Sequence, residues 1–244
     1  MIKFRIEDQQ YTIPDYISIE NYVKIHKIKD LFEDQYFAAK LVNIVTNAPV
    51  EDLLDGSYQE VTYLASYIMS QFPQEENIKF IDKFELDGVK YGFFPNWRDL
   101  SFAEYIDMDT ISSKKTDELL DLLHILASIM YRPIIEETSE HNFKIEPYEM
   151  ESMKERAELF KKKLNVGYIL GAQFFFIKFA KKYLNFTLSS STMKIGIWTQ
   201  IKLIWMMWRM IFKMTSKKPS GGFLSSTKLL TTILQNTNTS IKRK

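Results

Sequence analysis

Lys79 to Phe94 reads KFIDKFELDGVKYGFF, and this stretch decides the fold class. Phe84 and Leu86 alternate with Lys83 and Glu85. Val89, Tyr91 and Phe93 resume the alternation after Asp87-Gly88. Two-residue alternation on both sides of Asp-Gly marks a β-hairpin with a type I′ turn, whose two central residues both need positive φ. Phe80–Leu86 and Val89–Phe93 are expected to pair, and Pro95, which has no N–H for a ladder, ends the second strand.

The segments on either side are mostly helical. Upstream, Tyr58 to Phe72 repeats Val61, Leu64, Ala65, Ile68 and Phe72 at helical spacing, and Pro73 stops it. Pro49 opens a brief helix that Gly56 breaks. A helix over about Asp34–Val45 precedes it, and Ser18 caps another over Ile19–Ile28. The first residues, Lys3–Glu7 and Gln10–Ile13, read as a second small hairpin. Met1–Ile6 is charged and alternating, which is not the pattern of a secretory signal. Downstream, Ser101 with Glu104 three residues on forms a capping box. Lys115–Met130 is strongly amphipathic and closes with Tyr131-Arg132-Pro133, a loop follows to Pro147, and Tyr148–Leu164 reads as a helix. The expected fold is mainly α with two small antiparallel β-hairpins, an α+β class, and a helical C-terminal region. The expected segments are 1–77, an acidic 78–158, and a basic 159–244.

A net charge of +1 hides the most informative feature of the composition. The last acidic residue is Glu158; from Leu159 to Lys244 there are 16 Lys/Arg and no Asp/Glu. The first 158 residues carry 16 Lys/Arg against 31 Asp/Glu, a net of −15. Such asymmetry points to an anionic partner for the C-terminal part: nucleic acid, anionic lipid, an acidic protein surface, or the acidic part of a neighbouring copy. Internal pairing within one fold is the plainer alternative.

Within that basic third, Gly167–Leu188 reads as an apolar basic helix carrying Lys181 and Lys182. Lys194–Met214, KIGIWTQIKLIWMMWRMIFKM, follows a break at Ser189–Thr192. On a helical projection Lys202, Arg209 and Lys213 share a stripe with Lys194 at its edge, opposite a broad apolar face. Trp198, Trp205, Met206, Trp208 and Ile211 are the candidate apolar contacts; the lysines and Arg209 are the candidate contacts to an anionic surface. Lys202 and Arg209 argue against a single membrane span, since each costs about 2.5–3.5 kcal/mol at the bilayer centre. A core helix, a protein interface and a helix lying on a membrane surface remain as readings. Lys217–Gly222 reads as a flexible turn and Asn236–Lys244 as a mobile basic tail.

The sequence shows no constellation for catalysis. There is no cysteine, which excludes disulfides, thiolate zinc sites and cysteine nucleophiles. His26, His124 and His141 are far apart. Asp107 and Asp109 are a metal pair by type only, beside a helix end where carboxylates are usually just solvated. Ser189, Ser190 and Ser191 have no base beside them, and Asp117 and Asp121 read as a solvated helix face. No cofactor, no metal and no enzymatic activity is expected. The aromatics of the basic third fall among Ile and Met on helices, so packing is a better reading of them than stacking on single-stranded nucleic acid. Sequence-independent contact of the lysines with DNA phosphates stays open.

FPNWRDLSFAEYID (Phe94–Asp107), HILASIMYRPI (His124–Ile134), FKIEPY (Phe143–Tyr148) and LGAQFFF (Leu170–Phe176) resemble a group of proteins encoded in tailed-phage morphogenesis clusters, including those of crAss-like phages. Some of that group are described as tail-assembly-chaperone-like. The resemblance spans roughly Phe80 to Ala180 and carries no catalytic residue. It implies a non-enzymatic virion structural or virion-associated protein, near the portal or tail or packaged as cargo with the genome. The implied location is the virion, and the host cytoplasm during assembly. Its implied partners are other phage structural proteins (portal, tail or capsid) and further copies of itself, with DNA or membrane contact open. An assembly chaperone not retained in the particle, and a peripheral membrane-binding protein, are the alternatives.

Overall fold

The computed structural model describes residues 1–28, 36–74, 77–95, 100–112, 114–139 and 142–175. The fold is α+β. Strands β1 (Ile2–Ile6) and β2 (Gln9–Ile13) form a two-stranded antiparallel sheet, with Phe4 stacked on Tyr11. Helices α1 (Ile19–Lys27), α2 (Phe37–Thr46), α3 (Val50–Asp55) and α4 (Tyr58–Ser70) follow. Several expected punctuation marks are in place. Ser18 Oγ accepts from Asn21 N–H at 3.2 Å and caps α1, Pro49 precedes α3, and Gly56 ends it.

The hairpin at Asp87-Gly88 consists of β3 (Lys83–Leu86) and β4 (Val89–Phe93). Both turn residues have positive φ, 50° at Asp87 and 78° at Gly88, as a type I′ turn requires. Two further strands extend this hairpin into a four-stranded sheet of order β3-β4-β5-β6. They are β5 (Tyr131–Ser139) and β6 (Asn142–Ile145), and they correct the expectation of a helix close at Tyr131-Arg132-Pro133 followed by a loop to Pro147. Pro133 is tolerated because it stands at the end of the β5–β6 ladder; its carbonyl accepts from Glu146 N–H at 2.8 Å.

Between the hairpin and β5 lie α5 (Phe102–Ser112), α6 (Thr116–Asp121) and α7 (Leu123–Met130). The single helix expected over Lys115–Met130 is thus two. At Leu122 the N–H turns to the carbonyls of Leu119 and Leu120, a tightened turn that no Gly or Pro announces. Helix α8 (Met150–Lys163) follows, and α9 is described over 166–175. Asn165 starts α9, its side-chain oxygen accepting from Gly167 N–H at 2.9 Å.

One continuous apolar cluster runs from Tyr11 to Ala172, across the expected boundaries at 77/78 and 158/159. The α8–α9 junction is laced to the start of α1. Ile19 N–H donates to Leu164 O at 3.1 Å, and Val166 N–H to Ile17 O at 2.9 Å. The centre of the core is aromatic. Phe84 lies 5.1 Å from Tyr131, 5.8 Å from Phe160 and 5.1 Å from Tyr168, between the sheet and the last two described helices.

This core has a consequence at alkaline pH. Burial holds the Tyr22 and Tyr131 hydroxyls well above the ordinary tyrosine value, and burial with the Asp107 hydrogen bond does the same for Tyr148. The unfolded chain releases these protons at about pH 10, whereas the folded chain keeps them. Their contribution to stability is whole below pH 10 and is lost as the pH rises beyond it. Alkaline titration followed by circular dichroism and tyrosinate absorbance is expected to show these tyrosines ionising together with unfolding, not ahead of it.

Candidate interaction surface

MYRPI is a helix running straight into a strand. Met130 ends α7, Tyr131 begins β5 with no intervening turn, and successive side chains then leave on opposite faces of the sheet. Tyr131 is fully buried among the aromatics, and its hydroxyl donates to Ile81 O at 2.6 Å. Arg132, only 5% exposed, meets Glu104 of α5, only 2% exposed, with Nη2 2.6 Å from Oε1.

Glu104 has two tasks. As the third residue of the expected capping box, its Oε2 accepts from Ser101 N–H at 2.7 Å, while Glu104 N–H reaches Ser101 Oγ at 3.2 Å. Its other oxygen faces the guanidinium. Burial pulls Arg132 below the ordinary arginine value, opposed by the charges of Glu104 and Glu146. The seam continues through Glu146 to Arg156 of α8, with Arg156 Nη1 3.0 Å from Glu146 Oε2 and Nε donating to Ser128 O at 3.1 Å. Tyr148 donates to Asp107 and closes the seam back onto α5. Carboxylates and guanidiniums here pair with one another, so the cluster fixes orientation and presents no poised nucleophile.

Glu104 points inward on the face of α5 that also buries Met108 and Ile111. Phe102, Tyr105 and Ile106, at spacing i, i+3, i+4, share the opposite side and are 77%, 43% and 44% exposed. The helix thus carries apolar side chains on its outer side as well as its inner one, and exposed apolar surface of this kind marks interaction sites.

The second feature is the root of the basic segment. Gly171 sits on the backbone of Lys79 and Phe80, where an added Cβ would collide with the Lys79 carbonyl. Four residues on, Phe175 stacks on Phe80 at 4.1 Å and meets Phe93 edge-on at 6.0 Å. Residues 159–175 therefore belong to the folded body. Two of the first lysines of the basic third are taken up there, Lys161 beside Glu158 at 3.8 Å and Lys163 beside Asp87 at 2.5 Å. The body 1–175 has 31 Asp/Glu against 19 Lys/Arg, and residues 176–244 have 13 Lys/Arg with no Asp/Glu.

Every contact residue expected from the sequence lies outside the described residues: Lys181, Lys182, Lys194, Lys202, Arg209, Lys213, Trp198, Trp205, Met206, Trp208 and Ile211. So do His141 and Ser189–Ser191. His124 is half-buried on α7, its pKa lowered mainly by burial. Asp107 is held by Tyr148, and Asp121 pairs with Lys27 at 2.7 Å. Among the described residues no three His, Asp or Glu side chains converge as a metal site, and no helix is long and apolar enough to cross a membrane. The outward stripe of α5 is not legible from the sequence. The signal for it is a capping-box glutamate one residue from a buried-looking apolar stripe, and it needs Arg132 to be seen.

Compared with family models, with curated proteins and with solved structures, the chain matches none.

Proposed function

We propose that this chain is a non-enzymatic component of a tailed-phage particle, in which an acidic folded body carries an acid-free segment that contacts other subunits. The observation that carries the reading is the division of charge: 13 cations and no carboxylate in the 69 residues after a body with a 12-residue acidic excess. A segment so composed is suited to an acidic surface of another copy or of a neighbouring virion protein, and its Trp, Met and Arg content suits a protein interface. The resemblance of the Phe94–Asp107, His124–Ile134, Phe143–Tyr148 and Leu170–Phe176 stretches to phage morphogenesis proteins supplies the setting. Within the described body these stretches do packing work, as cap, helix-to-strand switch, buried ion seam and helix seat, which suits a structural role.

Mass spectrometry of purified particles tests the proposal. The chain is expected in mature particles in several copies. Its abundance in lysate together with absence from particles would contradict the virion reading and favour an assembly chaperone that departs.

A further inference from the structure

We propose that the outer part of the β5–β6 hairpin is a strap, latched by charge across the outward face of the β3–β4 hairpin and able to lift while the body stays folded. The path of the chain is the first observation. β5 pairs with β4 only from Tyr131 to Pro133, opposite Phe93 to Tyr91. Continued flat, it would bring Glu137 beside Asp87 in the turn. The Glu137 carboxylate instead bridges Lys90 of β4 at 3.1 Å and Lys83 of β3 at 2.7 Å, and Lys83 lies opposite Gly92, towards the other end of β4. The chain therefore bends at the register shift between Ile134 and Glu136 and folds back over the sheet.

The second observation is what the strap covers. Phe143 of β6 stands opposite Glu137, so both side chains face the body. Gly92 gives the ring its seat: a Cβ there would collide with the Phe143 ring and stand 3.1 Å from Ile134 Cγ1. The Lys83 ammonium lies 5.5 Å from the ring centre. Phe143 is 7% exposed, yet it stands outside the continuous apolar core. Ile135–Ser139, Asn142 and Lys144 around it are exposed.

The root of the hairpin is built differently. Arg132 is paired with Glu104 and Glu146 with Arg156, and Glu146 N–H donates to Pro133 O at 2.8 Å. A segment that buries one ring, exposes the rest and hangs from a firm root opens on its own, below the cost of global unfolding. Closed, the strap hides Phe143 and the bare backbone at Gly92; open, it presents both. Ionic strength is the control, because salt screens an ion pair at the surface.

Hydrogen exchange of the full chain, read by mass spectrometry, tests the latch. Amides of Glu136–Ser139 and Asn142–Ile145 are expected to exchange ahead of those of α8. Raising the ionic strength from about 0.01 M to about 1 M shortens the screening length from about 30 Å to about 3 Å, and is expected to speed the strap amides alone. Glu137→Gln is expected to speed them about two- to fivefold at low salt, the effect of one exposed ion-pair site, and to remove most of the salt response. Glu136→Gln is the control: Glu136 pairs with Lys144 at 2.6 Å within the strap, so its loss is expected to leave the strap closed. Gly92→Ala tests the seat without touching a charge. Its methyl pushes the Phe143 ring away, and faster strap exchange at low salt is expected with the circular dichroism spectrum kept. Strap amides that exchange only together with those of α8 would overturn the proposal. So would equal behaviour of Glu137→Gln and Glu136→Gln, or unchanged strap exchange in Gly92→Ala.

Discussion

Arg132→Met is expected to destabilise the fold by about 3–5 kcal/mol, the cost of leaving a buried charge without its partner. Glu104 lies at 2% exposure, so water cannot replace the guanidinium that stands 2.6 Å away. Methionine fills most of the arginine's volume, which keeps the loss electrostatic and not a cavity effect. The change also touches Glu146, whose charge faces Arg132 as well as Arg156. Urea unfolding of the full chain measures the loss, and the melting temperature is expected to fall on the order of 10 °C. The double variant Glu104→Gln/Arg132→Met is expected to recover most of the stability. Glutamine still accepts from Ser101 N–H at the cap and carries no charge to strand, and buried pairs are often replaced by neutral groups at little cost. Additive losses in the double variant would mean that the two residues do not act on each other.

The second large effect is expected at the root of the basic segment. In Gly171→Ala the new methyl meets the Lys79 backbone, with Lys79 C at 3.0 Å and Phe80 Cα at 3.4 Å. Backbone cannot swing aside as a side chain does, so α9 has to lift, and the Phe80–Phe175 stack opens. Overpacking of this kind costs about 1–3 kcal/mol, and the high end is expected here. Gly167→Ala on the same helix is the control. Its methyl meets only the Asn165 side chain, at 3.2 Å, and alanine is the better helix former by about 1 kcal/mol. Gly167→Ala is expected to be neutral or stabilising, and thermal unfolding of the pair separates a seat at Gly171 from a general effect of glycine replacement.

These two positions also show how much of the molecule was legible before its structure. Asp87-Gly88 specifies its hairpin, because Asp-Gly between two alternating runs favours a two-residue type I′ turn, and both residues have the positive φ it needs. Ser101 and Glu104 specified a helix start, and the reciprocal bonds are there. Strand β5 was not legible. Its inner end follows α7 without a turn, Pro133 reads as a stop, and its outer half from Ile135 onward is exposed and no longer alternates. The break at Leu122 has no breaker residue. In the sequence Gly171 reads only as helix, because the backbone it approaches is some ninety positions away. The candidate contacts on Lys194–Met214 followed from composition and periodicity, which describe a face but not what it meets. The inward turn of Glu104 needed Arg132, 28 residues on and in another kind of element, to be brought within 2.6 Å.

The proposed role requires the acid-free segment after residue 175 to work against another molecule and not against its own body. Sedimentation equilibrium of the full chain beside its Lys202→Glu/Arg209→Glu variant tests this most directly. The expected result is a wild-type assembly larger than one chain and a shift of the variant towards the monomer. A wild-type chain that sediments as a stable monomer at tens of micromolar, indistinguishable from the variant, would contradict it.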